Sequence, residues 1–267
     1  MLNSNKLISV AIPTFNSSLY LKDCLNSLLN VKIIGEIIIS DDCSNDFEFE
    51  EINNIVEGLN TTKEIKIYRN DQNLGAFINK YENIKKCSNE IVYQIDSDNI
   101  ASNNLPNVLG TIIKDREEYF LYLPSKIYQF RKYPKIAKLL SIFNNKYKVT
   151  FTNKDFIFDK DIIKKAIQEE LKVTEDKNLN WVLNSGNFIV NRNKFLEIMK
   201  NYVNENVRYP MDAVAISYFW IENGGSIKTL KSLRHFHRKR SDSVSFVENK
   251  GSYESLTSFR NKFLELN

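Results

Sequence analysis

Apolar residues in the first hundred positions alternate between short continuous runs and stripes at helical spacing. The run Leu7-Ile8-Ser9-Val10-Ala11-Ile12 is rich in β-branched residues and stops at Pro13, which predicts a buried strand. Leu21, Leu25 and Leu28 then lie along one helix face, with Ser17 or Ser18 placed to cap it. Ile37-Ile38-Ile39 predicts a second strand ending in Ser40-Asp41-Asp42, and Ile52, Ile55, Val56 and Leu59 a second amphipathic helix. Ile65 to Tyr68 reads as a third strand, Phe77, Tyr81 and Ile84 as a third helical stripe, and Glu90 to Ile95 as a fourth strand. This alternation predicts an α/β fold with a mostly parallel central sheet flanked by helices.

The second half is less regular. Residues 101–180 mix aromatic and basic side chains (Tyr119, Tyr122, Tyr128, Phe130, Arg131, Tyr133) without a clean period. Further on, Asn184 to Arg192 holds a glycine-containing turn that leads into a strand. Tyr209 to Ala215 opens a helix expected to be amphipathic, with Val214, Tyr218 and Ile221 on one side and its close at Gly224-Gly225. Leu256, Phe259, Phe263 and Leu266 recur at helical spacing near the C-terminus, as a docking helix or a membrane foot would.

In parallel sheets ligands bind beyond the carboxyl ends of the strands. Polar residues collect there: Thr14 and Asn16 after the first strand, Asp41 and Asp42 after the second, Asn73 after the third, Asp96 and Asp98 after the fourth. In Asp96-Ser97-Asp98 the two carboxylates face one side of an extended chain, about 6.6 Å apart. So placed they repel unless a cation joins them, and Mg2+ is typically held by one or two carboxylates and completed by substrate phosphates. An Asp-x-Asp triplet also occurs in solvated turns. Its place after a buried strand, on the same rim as three other polar strand ends, favours a site.

Four segments, Ser9 to Asn16, Ile37 to Asp46, Asn73-Leu74-Gly75 and Asp96-Ser97-Asp98, resemble the successive motifs of the family 2 inverting glycosyltransferases of the GT-A fold. The resemblance implies a nucleotide-sugar-binding half over 1–100, an acceptor-binding and catalytic half of the same domain over 101–240, and a C-terminal helical segment over 241–267. It implies that Pro13, Thr14, Phe15 and Asn16 line the nucleotide pocket with Phe15 against the base. Asp42 would accept a hydrogen bond from that base, usually uracil, while Asp41 serves structure. Asn73, Gly75 and Asp96 would complete the nucleotide site, Asp98 would bind Mn2+ or Mg2+, and His237, in preference to His235, would be a further ligand. Gly186 and Asn187 would face the sugar and acceptor. Asp212 would be the catalytic base, in a motif where Met211 replaces the family's usual Glu and where a helix cap is the competing role. Glu175-Asp176 has the family's letters but precedes the Gly186 segment, the wrong order. Lys80 stands where the family often has an arginine, and lacks the planar fork.

The expected reaction is transfer of a sugar from a nucleotide-diphosphate donor, a UDP-sugar, to a hydroxyl of a glycan or lipid-linked acceptor. The rival expectation is a catalytically degenerate GT-A domain that binds nucleotide-sugar or glycan without transfer. Bulk properties narrow this little further. The 267 residues carry 37 Lys and Arg against 33 Asp and Glu, a net charge of +4 that argues against a nucleic-acid partner. Cys24, Cys43 and Cys87 have no paired metal spacing and suggest reduced thiols in the cytoplasm. No apolar run approaches the roughly 20 residues that span a bilayer, so any membrane contact is expected to be peripheral, at the inner face. By the resemblance the basic cluster from Arg234 to Arg240 would close over the diphosphate, the alternatives being a solvated surface or a contact with anionic headgroups.

Overall fold

The four apolar runs form β1 (Ile8–Thr14), β2 (Ile34–Asp41), β3 (Glu64–Arg69) and β4 (Ile91–Gln94) in the computed structural model, which describes residues 7–115, 117–168, 179–205, 207, 211–240 and 258–266. Helices α1 (Ser18–Leu28), α2 (Asp46–Glu57) and α3 (Ala76–Lys86) connect them. These four strands are parallel in the order β3-β2-β1-β4, with Val10 opposite Ile37 on one side and Tyr93 on the other.

The sheet then continues as a mixed one. β9 (Phe188–Asn191) runs antiparallel to β4 and bridges to β6 (Phe120–Phe130), which pairs in parallel with β10 (Ser226–Arg238). The short strands β5 (Ile100–Ala101), β7 (Lys148–Thr150) and β8 (Phe156–Phe158) pair antiparallel with β10 or β6. Among the described residues one ten-stranded sheet therefore joins both halves of the chain, parallel at one end and mixed at the other.

Both sheet faces are covered, so side-chain alternation along β1 divides the core. Ile8, Val10 and Ile12 pack with Leu21 and Leu25 of α1, Ile52 of α2 and Leu109 of α4 (Leu105–Asp115). Ala11, Ile38 and Val92 face the other way, toward Phe77 and Ile84 of α3, Phe195 of α8 (Arg192–Met199) and Val214 and Trp220 of α9 (Asp212–Glu222). Helices α5 (Pro134–Leu140), α6 (Lys160–Gln168) and α7 (Leu179–Leu183) also occur among the described residues.

Several local expectations are corrected. β1 does not stop before Pro13 but runs through it to Thr14. Ala11 O accepts from Ile95 N on the β4 side and Thr14 O from Asp42 N on the β2 side. By strand alternation the imino nitrogen of Pro13 faces the β4 side, beyond the last β1–β4 pair, where no donor is required. Ser17 precedes α1 but its hydroxyl makes no capping bond. The cap of α2 is Asn45, whose side chain accepts from Glu48 N. α9 is not amphipathic, because every residue from Asp212 to Ile221 is buried, as befits a helix enclosed on all sides. Phe259 and Phe263, on a helix over 258–265, pack against Tyr218 of α9. Glu175-Asp176, Tyr209-Pro210 and Leu256 lie outside the described residues.

Glu36 ties the parallel half together. Its buried carboxylate accepts from Ser9 Oγ at 2.5 Å, Ser88 N at 2.6 Å and Ser88 Oγ at 2.7 Å. Burial alone would raise its pKa, but these bonds and the Lys66 charge outweigh it and hold the group below its ordinary value of 4.5. A depressed carboxylate stabilises the fold above the unfolded-state pKa, and that contribution is lost as pH falls through the folded value. Glu36→Gln is expected to cost about 1–3 kcal/mol at neutral pH, read as a lower urea midpoint, with the gap from wild type narrowing below about pH 4.5.

Candidate active site

The carboxyl ends of β3, β2, β1 and β4 share one rim, and the strand order reverses direction between β1 and β4. That crevice is where open α/β sheets bind ligands. Its floor is stitched by a chain of hydroxyls: Thr14 Oγ1 lies 2.9 Å from Ser17 Oγ, which lies 2.8 Å from Ser97 Oγ. Ser17 thus links the end of β1 to the Asp96-Ser97-Asp98 loop instead of capping α1.

Both carboxylates of the Asp41-Asp42 pair are engaged by the protein. Asp41 accepts from Ser44 N at 3.1 Å and Ser44 Oγ at 2.5 Å, and burial pushes its pKa up. Asp42 accepts from Asn70 Nδ2, Leu74 N and Gly75 N, each at 2.9 Å. A carboxylate offers roughly four lone-pair positions, so Asp42 retains one for a ligand while anchoring the 70–75 loop. Asn73 Oδ1 accepts from Gly75 N at 3.1 Å, and Gly75 has the left-handed φ of 83° that glycine tolerates. Phe15 is 48% exposed on this rim, a ring face available for stacking. Asn16, at φ 45°, is drawn to the neighbouring loop, its Oδ1 accepting from Asn45 N and Nδ2 at 3.3 Å.

The centre of the crevice is a buried charge cluster joining distant segments. Lys80 Nζ on α3 lies 2.6 Å from Asp212 Oδ2 and 3.1 Å from Asp96 Oδ1. Burial alone would lower the Lys80 pKa, but Asp212 and Asp96 outweigh it and drive it up. Asp212 is the first residue of α9, directly after the N-cap Met211, so its carboxylate lies in the first turn, where the helix dipole favours negative charge, as well as against Lys80. Asp96 N donates to Asn187 Oδ1 at 2.8 Å, and Gln94 Nε2 reaches both Asp96 Oδ1 at 3.2 Å and Gly186 O at 3.1 Å. A Cβ on Gly186 would lie 2.6 Å from Asp96 Oδ2 and 3.3 Å from Lys80 Nζ. The glycine therefore makes room for this cluster.

The outer edge carries Asp98. Burial raises its carboxyl pKa, and the charge of Asp96 raises it further, against the opposing influence of His237, Arg240 and Arg238. Arg240 Nη1 lies 3.4 Å from Asp98 Oδ2, and Arg238 Nε donates to Asp98 O at 3.2 Å. His237 and His235 project from β10 with ring centroids 6.4 Å apart. His235 is buried, and burial followed by the His237 charge lowers its pKa to about 3. Among the described residues no three His, Cys, Asp or Glu side chains are grouped to hold a metal ion. In donor chemistry, the carboxylates of Asp96 and Asp98 are the hard oxygen ligands that Mg2+ or Mn2+ takes, one or two of them being usual where substrate phosphates complete the site.

The crevice therefore gathers Thr14, Asp42, Asp96, Asp98, Gly186, Asn187, Asp212 and His237. Lys80 was legible only as a departure from a motif, yet its position gave a signal. It follows Phe77 by three residues and precedes Ile84 by four, on the buried stripe of α3, where a lysine needs carboxylate partners. Gln94, Ser17, Ser97 and Arg238 carried no such mark.

A protein-family model described as Glycosyl transferase family 2 matches residues 9–161. Two curated relatives are similar over parts of the chain. A DNA ligase of Mycoplasma mycoides is 28% identical over 237 residues, covering 77% of this chain and 33% of that protein. An uncharacterized glycosyltransferase of Haemophilus influenzae is 30% identical over 99 residues, covering 37% of this chain and 38% of that protein. The chain thus spans about a third of the length of these relatives, and the ligase likeness carries no activity to it. Among solved structures, S. aureus TarS 1-349 in complex with UDP-GlcNAc has a TM-score of 0.61 at 16% identity, covering 97% of this chain and 70% of that one. GalNAc-T7 with UDP, GalNAc and Mn2+ has a TM-score of 0.60 at 15% identity, covering 96% of this chain and 50% of that one. At these identities the likeness is one of fold.

Proposed function

The chain belongs to glycosyl transferase family 2, and from that premise we propose that it transfers a sugar from a UDP-sugar to a hydroxyl of a glycan or lipid-linked acceptor, with a divalent metal and with inversion at the anomeric carbon. The observation that carries this reading is the buried Lys80 bridge, which joins Asp96 of the strand-end motif to Asp212, 132 residues beyond Lys80. It holds a donor-side carboxylate and a base candidate in one crevice. The S. aureus and GalNAc-T7 structures bind UDP-GlcNAc and UDP with Mn2+ on the same fold.

In this reading Phe15 stacks on the uracil and Asp42 accepts the imide N–H with its remaining lone pair. A base lacking that donor would leave the remaining lone pair of a buried carboxylate without a partner, which gives the site its preference. Asp98 and His237 would hold the metal, and the chemistry it would supply there is Lewis-acid neutralisation of negative charge on the diphosphate. Arg240, beside Asp98, adds a permanent cation at the same edge. Asp212 takes the proton of the acceptor hydroxyl as general base. Lys80 fixes the orientation of that carboxylate, and Gly186 and Asn187 position Asp96 next to it. Attack from the face opposite the diphosphate inverts the sugar.

Two substitutions test this assignment. Asp98→Ala is expected to abolish Mn2+-dependent hydrolysis of UDP-sugars and to remove the metal dependence of UDP binding. Wild-type protein that binds UDP but neither hydrolyses nor transfers any UDP-sugar with Mn2+ would instead support a degenerate domain. Gly186→Ala drives a methyl group into Asp96 and Lys80 and is expected to lower kcat/KM by about 10²-fold, the cost of a misplacement near 1 Å. Unchanged steady-state kinetics would remove the Lys80–Asp96 cluster from the mechanism.

A further inference from the structure

We propose that the outward face of α5 and the turn after it, residues 131–148, is a docking surface for an anionic lipid bilayer. The face is inverted relative to a helix that seeks only water and its own core. Ala137 and Ser141 point inward, while Ile136, Leu139, Ile142 and Phe143 point out, the last two 70% and 82% exposed. Tyr133, 65% exposed, adds an amphipathic ring at the start of the helix. Such clustering of large apolar side chains marks an interaction site rather than ordinary surface.

The charges around it select the partner. Residues 119–154 contain eight Lys and Arg and no Asp or Glu, so against a total of +4 the remainder of the chain carries a net −4. Arg131, Lys132, Lys135, Lys138 and Lys146 are all exposed beside the apolar residues. On the adjoining strands the Lys126 ammonium is lowered by burial and then by Arg234, Lys148 and Lys231, a group of cations that lie close together. Basic residues interleaved with exposed aliphatic and aromatic ones match an interface of anionic headgroups over acyl chains. A nucleic-acid backbone would use the cations but leave Ile136, Leu139 and Ile142 in water. Among the described residues no helix is long and apolar enough to cross a membrane, so the contact is peripheral.

The surface adjoins the crevice. Arg131 O accepts from Arg238 Nη1 at 3.3 Å, and the same guanidinium donates to Asp98 O at 3.2 Å. A bilayer against α5 would therefore bring a lipid-borne hydroxyl to the rim that carries Asp98. That consequence rests on the transferase reading; the docking itself does not.

The test is co-sedimentation of the full chain with vesicles of phosphatidylcholine alone or mixed with phosphatidylglycerol, at about 0.15 M salt. Binding is expected to the anionic vesicles only. Lys132→Gln/Lys135→Gln/Lys138→Gln should weaken it about 100-fold, and Ile142→Ser/Phe143→Ser by at least about 10-fold; all five positions are exposed, and retained circular dichroism shows that the variants fold. The proposal is overturned by equal binding to neutral vesicles, or by variants that bind like wild type. It is equally overturned if the face proves to be a dimer contact that Ile142→Ser/Phe143→Ser dissolves without any vesicle binding, or if the protein retains a single-stranded oligonucleotide and no vesicle. Vesicle binding by a protein that transfers no sugar would leave the docking surface standing and contradict the transferase reading alone.

Discussion

Asp212→Asn is expected to lower the transfer rate by about 10²–10⁴-fold, the range general-base catalysis supplies, while UDP affinity in the presence of Mn2+ is retained. The amide keeps the shape of the side chain and a carbonyl oxygen facing Lys80, but it cannot take the acceptor's proton. The ammonium is not orphaned, because Asp96 remains 3.1 Å away. Single-turnover rates with saturating donor read the chemical step, and calorimetric titration of UDP reads binding. A loss of donor affinity comparable to the loss of rate would mean that Asp212 helps to hold the nucleotide and is not a base acting on the acceptor.

Lys80→Met is expected to have the largest effect on stability. Removing one partner of a buried charge pair costs about 3–5 kcal/mol, because the charges left behind have neither solvent nor counter-ion. Here that cost falls on Asp212, whose side chain is 12% exposed, whereas Asp96, at 34% exposed, keeps water as a partner. Chemical denaturation should show that loss, and residual folded protein should be inactive. Lys80→Arg supplies the cation that the family often places here and should recover most of the stability. Because the guanidinium is larger and planar, it should recover activity only in part. If Lys80→Met folds with wild-type stability, the cluster is not the organising element described above.

What could be read from the sequence followed burial on two faces. β1, β2 and β4 show as apolar runs because helices cover both sides of the sheet, and the rim residues at their ends followed from parallel topology alone. β6 was hidden for a physical reason. Pro124 lies inside it, and proline in a central strand argues against strand. The structure accommodates it where β10 departs from regular register, between Leu230 opposite Pro124 and Arg234 opposite Lys126. α9 misled in the opposite sense. Val214, Tyr218 and Ile221 do lie on one side, but the other side is buried as well, so the apparent stripe was part of a fully enclosed helix.

The candidate site was legible wherever a motif placed a residue type at a strand end, and less so where its geometry depends on pairing across the chain. Nothing local to Asp212 announces Lys80, and nothing local to Gly186 announces the carboxylate it must clear. Asp42 shows the limit most clearly. Its place after β2 marked it as a ligand group, while its three bonds to Asn70, Leu74 and Gly75 depend on a loop whose path no spacing specifies.

The central claim is that the crevice above β1 and β4 binds a uridine diphosphate together with a divalent cation. Calorimetric titration of the wild-type chain with UDP, with Mn2+ and again with EDTA, tests it most directly. UDP binding is expected to weaken by at least about 10-fold, or 1.4 kcal/mol, when the metal is removed, with no metal effect in Asp98→Ala. Absence of UDP binding, or equal binding with and without Mn2+, would contradict it.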